Sequence, residues 1–416
     1  MKYIVQKKEE KIYSFLLDEA GHAVEIHADS PADGPKLGDI YIGRVQKVAE
    51  NIHAAFVEIL PGMNGYLPFD EIAEPIYTLK GPKDQIQPGD QLVVQISRDA
   101  FGQKDVSLTT KITLRGRYVV LTSGGVGLGV SRRIPEEKRA LLKDRVLSSE
   151  EFARIQKRIG RCGIVLRTNA SVALAGEEDG AETICAKAVL DELAALESVM
   201  VDLKLKAPYR SAYTNLLKQP HRWLDRVMNL HTEEVEAVIT DDPDIYRQIL
   251  QAMRLDPAGE KGSGYPALRL YEDPQVSMEK LFSLEREMDR AVSKKVNLRS
   301  GADLVIESTE ALHVIDVNSG RTKNNKHKTK EEALLEVNLE AAREACRQIR
   351  LRNLSGIILI DFINLKQASN SQRVMEELRH AASKDPVRTQ VVDMTKLGLV
   401  EMTRQKIELP LTEISR

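Results

Sequence analysis

Cysteine is scarce in this chain: three in 416 residues, Cys162, Cys185 and Cys346, far apart and with no CxxC spacing. That excludes a disulfide framework and an internal zinc site, and suits a reducing compartment. Aromatic residues make up 5%, with a single tryptophan, Trp223, expected in core or interdomain packing. No run of 18 apolar residues occurs, and the opening MKYIVQKKEEKIY has no signal-peptide core. A soluble, cytosolic protein without a membrane span is therefore expected. Charge of one sign is also lacking: 60 Lys and Arg against 62 Asp and Glu leave a net −2. Nucleic-acid binding would have to come from local basic patches. The glycine-rich GGVGLG at 124–129 has neither GxGxxG spacing nor a following GK[ST]. It reads as a flexible connection that leaves Arg132 and Arg133 available to phosphates.

What is present is a globular composition, 42% hydrophobic and 29% charged, at a length that calls for two to four domains. Residues 1–35 alternate apolar and polar, as in a small antiparallel sheet. GDIYIGRVQKVAE, AAFVEIL, NGYLPF, GDQLVVQIS and KDVSLTT follow as short strands between Gly, Pro and Asn turns, which suggests a small barrel. Helical patterns are expected at 135–158 and 177–199, and again over YTNLLKQPHRWLDRVM and DIYRQILQAMRL. DDPD at 241–244 reads as a helix N-cap rather than a metal site. From residue 276 onward, helices alternate with the strands ADLVIEST, ALHVIDVN, GIILIDFI and TQVVDMT, as in a compact α/β domain.

Two of those strands carry the chemistry. HVIDVNSGR (313–321) and GIILIDFIN (356–364) are β-branched runs that end in Asp316 and Asp361. Acids at strand ends stand where α/β folds bind ligands, and a long helical segment between them allows parallel neighbours. Either aspartate alone is explained by a turn cap. Two together repel unless a cation or shared proton lies between them, and an all-oxygen set favours Mg²⁺ or Mn²⁺. RTKNNKHKTK (321–330) follows with five Lys or Arg and no acid, which suits a phosphodiester polyanion. Phe56 and Tyr66 on adjacent strands could stack on unpaired bases or serve as core. Arg167 and Thr168, ending GIVLRTNA, could grip a phosphate or form a surface ion pair.

STEALHVIDVNSGR, NLEAAREACRQIRLRNLSGIILIDFINL and LGLVEMTRQK closely resemble the catalytic core of the RNase E/G endoribonucleases, and the similarity extends through the barrel, SRRI and LRTNA in the same order. The barrel itself resembles the OB-fold repeated in a ribosomal small-subunit protein. The resemblance implies an α/β (α+β multidomain) architecture. An RNase H-like domain (1–35 and 211–275) would be interrupted by an OB-fold RNA-binding domain (36–113) and a 5′-sensor region (114–210). A DNase I-like catalytic domain (276–400) and a C-terminal tail (401–416) would follow. It implies a catalytic Mg²⁺, with Mn²⁺ as substitute, on Asp316 and Asp361 and supported by Asn318. Phe56, Tyr66 and Lys104 would hold single-stranded RNA, and Arg167 with Thr168 would sense a 5′-monophosphate. The implied activity is hydrolysis of A/U-rich single strands in RNA processing and decay, leaving a 5′-phosphate and a 3′-hydroxyl, by a homodimer or homo-oligomer in the cytoplasm. The second stacking position is Tyr66 where Phe is usual. The family's CPxC zinc-link does not follow EMTRQK, so zinc is not expected. The competing readings are a non-catalytic RNA-binding protein with a structural metal site, and a phosphoesterase of small nucleotides.

Overall fold

The computed structural model describes residues 1–29, 34–79, 85–99, 105–172, 181–230, 234–253, 265–320 and 329–414. The chain forms two compact units. One comprises Met1–Pro31, Glu234–Lys261 and Pro266–Arg416, the other Ala32–Glu233 and Gly262–Tyr265. No helix of the described residues is long and apolar enough to cross a membrane.

The second unit contains the barrel. Strands Ile40–Ala49, Ala54–Leu60, Met63–Pro68, Val106–Thr109 and Gln91–Arg98 pair in that spatial order. The last returns to the first through Ile40 opposite Gln95, so five strands close on themselves in an OB-like barrel. Closure removes the unpaired edges that an open five-stranded sheet would expose. Inward residues such as Val57, Leu67, Val94 and Leu108 fill it. Asn215–Leu217 adds a strand to Ile40–Ala49, where a helix was expected. Pro220 has no N–H to donate and disfavours helix in the residue before it. The helix starts only at Arg222, and its Trp223 is buried. Beside the barrel in this unit, a four-stranded sheet packs against helices Glu136–Leu147, Glu150–Ile159 and Ala181–Lys206. The first two helices are separated because the Ser149 hydroxyl caps the second.

The first unit holds two sheets. Lys2–Lys8, Lys11–Leu17 and Ala23–Asp29 run antiparallel, and Ala237–Thr240 and Ala267–Leu270 extend them in parallel. The Asp242 carboxylate accepts from the backbone N–H groups of Asp244 (2.7 Å) and Ile245 (3.0 Å), and it starts the helix Pro243–Met253 as a cap. The second sheet has six strands in the order Lys295–Asn297, Asp303–Ser308, Leu312–Asn318, Gly356–Asp361, Leu399–Arg404, Thr389–Met394. The strand Leu399–Arg404 was not foreseen. It inserts antiparallel between its two neighbours and runs through residue 400, where the catalytic domain was expected to end. Leu312–Asn318 and Gly356–Asp361 are parallel and joined by the helix Lys330–Leu351. A full capping box of Thr329 and Glu332 starts that helix. Ala341, Ala342 and Ala345 let it lie close to the sheet. With helix Ala368–Ala382 it covers one face, burying Leu304, Ile306, Ile315, Val317, Ile358 and Ile360. The two-residue period sends their neighbours, including Asp316 and Asp361, to the other face.

An ion pair fixes the inserted strand. Arg404 donates from Nε to Asp385 Oδ2 (2.8 Å) and from Nη1 to Asn353 Oδ1 (2.7 Å), and both charged side chains are buried. Removing one partner strands the other charge in the interior. Arg404→Met is expected to lose about 3–5 kcal/mol in urea unfolding. A loss below about 1 kcal/mol, the range of exposed pairs, would contradict the buried network.

Candidate active site and nucleic-acid interface

Asp316 and Asp361 face each other in register across the parallel pair, on the sheet face that the helices leave uncovered. Adjacent strands lie about 4.8 Å apart, so the carboxylates reach a common point. Asp316 is half-buried and Asp361 exposed. Asn318, two residues on and so on the same face, donates from Nδ2 to Asp316 Oδ2 (2.9 Å) and orients that carboxylate. Asp303 lies opposite Asn318 in the next strand and pairs with Lys295 (3.1 Å). Sequence reasoning missed these two. Asp303 opens its strand and Asn318 closes the next one, and only the antiparallel register shows that the two ends meet.

Among the described residues no three His, Cys, Asp or Glu side chains cluster as a metal cage. Two carboxylates open to water are nonetheless a donor set that Mg²⁺ accepts, since it keeps several waters and takes its remaining ligands from phosphates. The site residues therefore fit the ion. The basic stretch 321–328 and Lys104 lie outside the described residues.

His313, in the same strand as Asp316, is not part of this face. Its Nε2 donates to the Ser355 carbonyl (3.1 Å), its Nδ1 meets the Ser308 hydroxyl (2.7 Å), and burial lowers its pKa. Gly320 also has a structural reason: its φ is +54°, and a Cβ there would overlap the Gly301 carbonyl oxygen.

On the barrel, Phe56 stands opposite Tyr66, ring centroids 6.1 Å apart and edge to face, each ring half-buried. The row continues in both directions: Lys47 is opposite Phe56, Ser107 opposite Tyr66, and Arg98 opposite Ser107. Two exposed cations thus flank a pair of rings on one surface. Register shifts at Val45/Lys47 and Ile96/Arg98 create this alignment, which strand alternation alone does not reveal.

Arg167 and Thr168 end the strand Cys162–Leu166 and diverge. Arg167 donates to the Gly116 carbonyl and to Asn229 Oδ1, and burial pulls its pKa down. Thr168 shares a hydrogen bond with Ser131 (3.0 Å), directly before the exposed Arg132 and Arg133. Leu128–Val130 runs parallel to Cys162–Leu166, which brings the SRRI turn to this point. At Gly125 a Cβ would press on the Gly163 backbone (2.8 Å), so the glycine-rich loop permits a close approach.

A family model, Ribonuclease E/G family, matches residues 113–407. Ribonuclease G of Salmonella typhimurium (strain SL1344) is 30% identical over 401 residues, 93% of this chain and 76% of that protein. Ribonuclease G of Escherichia coli (strain K12) is 31% identical over 398 residues, with the same coverage of each. Ribonuclease E of the same strain is 30% identical over 402 residues, 94% of this chain and 35% of that longer protein.

Gly320→Ala is expected to lower the melting temperature, at a cost of roughly 1–3 kcal/mol for strained backbone; an unchanged transition would contradict the close approach. The lowered pKa of His313 means that the unfolded chain binds the proton more readily. Its stabilising contribution is therefore complete above the ordinary pKa of 6.5 and declines as pH falls through that value. In His313→Gln the slope of stability against pH near 6 should be shallower than in the unaltered chain.

Proposed function

The chain belongs to the ribonuclease E/G family of hydrolytic endoribonucleases, and on that premise we propose how it acts and on what. The substrate is single-stranded, A/U-rich RNA, cut internally during processing and decay in the cytoplasm, with a preference for 5′-monophosphorylated ends. The observation that carries the catalytic part is the in-register pairing of Asp316 with Asp361 on the uncovered face of the sheet.

These two carboxylates hold Mg²⁺, or Mn²⁺ in its place. When bound, the ion supplies a lowered pKa for attacking water and offsets charge on the scissile phosphate. Asn318 keeps Asp316 in one orientation, so the ligand geometry is set before RNA arrives. Lys295, tied to Asp303, places a cation on the same face for a neighbouring phosphate. No histidine base is invoked: His313 points into the core with both ring nitrogens engaged.

The barrel holds the unpaired strand. Phe56 and Tyr66 stack on bases, each worth roughly 1–3 kcal/mol, while Lys47 and Arg98 take the backbone on either side. The 5′-phosphate is read at Thr168 and Ser131, which share a hydrogen bond directly before Arg132 in the chain, with Arg167 held beside them through Gly116 and Asn229.

The test is cleavage of a fluorescent 5′-monophosphorylated A/U-rich RNA, with Mg²⁺ and with EDTA. Internal cuts are expected from the unaltered chain with Mg²⁺ alone, and Asp361→Asn should reduce kcat at least a hundredfold while RNA affinity stays within about threefold. Tight binding without cleavage by the unaltered chain would favour a pure RNA-binding protein instead. Thr168→Val should slow cleavage of the 5′-monophosphorylated substrate more than that of its 5′-hydroxyl counterpart; equal slowing would remove the sensing role.

A further inference from the structure

We propose that the cavity at the carboxyl end of the Asp361 strand is a base pocket for the nucleotide adjoining the scissile phosphate, with Asn364 reading the base edge and Lys396 gripping its phosphate. The proposal rests on the endoribonuclease reading above. The cavity measures about 270 Å³, and its two walls begin beside the catalytic carboxylate. One wall is Phe362–Leu365, which follows Asp361 directly. The other is the turn Thr395–Gly398, which precedes Leu399, the register partner of Asp361. The cavity therefore lies at the end of the Asp361 strand, with Asn338, Ser371 and Val374 of the two covering helices behind it.

Both walls are held rigidly. Asn338, almost fully buried, donates to the Ile363 carbonyl (2.7 Å) and accepts from the Ile363 N–H (3.1 Å), so its amide binds the first wall as a strand would. In the second wall, Thr395 N–H bonds to the Leu399 carbonyl (2.8 Å) and Gly398 N–H to the Thr395 carbonyl (2.9 Å). Gly398, at φ +88°, makes the turn that a side chain would strain. The pocket is thus formed before a ligand enters, which spares the ordering cost of binding.

Its chemistry suits a base. Phe362, Val374 and Met394 give an apolar interior, while the side chains of Asn364, Ser371 and Lys396 have no hydrogen-bond partner among the described residues. Leu397, 84% exposed, stands at the rim with apolar surface for a ring to cover. Flat apolar faces with a polar edge are how a splayed-out base presents itself. An asparagine amide offers a donor and an acceptor side by side, which matches adenine best. Lys396, an exposed ammonium, supplies the phosphate contact.

The experiment maps cleavage sites by sequencing, using a 5′-monophosphorylated RNA pool with randomised positions around one cut and Mg²⁺ present. The unaltered chain should prefer adenine at one position adjoining the cut. Asn364→Ala should flatten that preference about tenfold and leave every other position unchanged. Asn364→Asp, which replaces the amide donor with a second acceptor, should disfavour adenine there. Lys396→Ala should raise KM with the base profile intact. An unaltered adjoining-base profile in both Asn364 variants would overturn the pocket while leaving the endoribonuclease reading in place. No cleavage by the unaltered chain would remove both.

Discussion

Asp316 and Asp361 stand opposite one another on neighbouring parallel strands, and this pairing of like charges is the constraint on which the rest of the six-stranded sheet depends. Two unit charges about 4 Å apart repel by about 1 kcal/mol in water and by more as water is excluded. The site meets this by remaining open: Asp361 is exposed, Asp316 half-buried, and Asn318 donates to Asp316. Everything that fixes their register lies on the far side of the sheet. The crossover helix with its alanines makes the strands parallel, and the Arg404–Asp385 pair locks the strand next to Asp361. Stability and chemistry are divided between the two faces, so EMTRQK contributes a buried ion pair rather than a reacting group.

The barrel surface proposed for RNA follows from strand pairing. Five strands close on themselves, and the row of Phe56 and Tyr66 lies on the outward face of that barrel. There the bulges turn Lys47 and Arg98 into the row of Phe56 and Tyr66. An overall charge of −2 is compatible with holding a polyanion because the cations are concentrated locally.

Much of this was legible in the sequence. The two aspartates could be placed because β-branched runs with period two state which residues share a face, and the intervening helix implied parallel strands. A cap within DDPD was readable from the residue types before a helix, and Phe56 and Tyr66 were expected on adjacent strands from the barrel resemblance. What escaped depended on distant partners. Leu399–Arg404 alternates apolar and polar, but its place between two other strands is set by pairing that spacing does not encode. Tyr213–Leu217 shows a helical pattern, yet tertiary pairing with the barrel decides its conformation. Asp303 beside Asn318, and Arg167 turned toward Asn229, arise from register and packing between segments far apart in the chain.

The proposed chemistry requires one divalent cation held jointly by Asp316 and Asp361. Titration of the protein with Mn²⁺, followed by electron paramagnetic resonance of the free ion, measures this without any substrate. One site per chain is expected, competed by Mg²⁺ and lost or at least tenfold weaker in both Asp316→Asn and Asp361→Asn. A site of unchanged affinity in either variant would contradict the account.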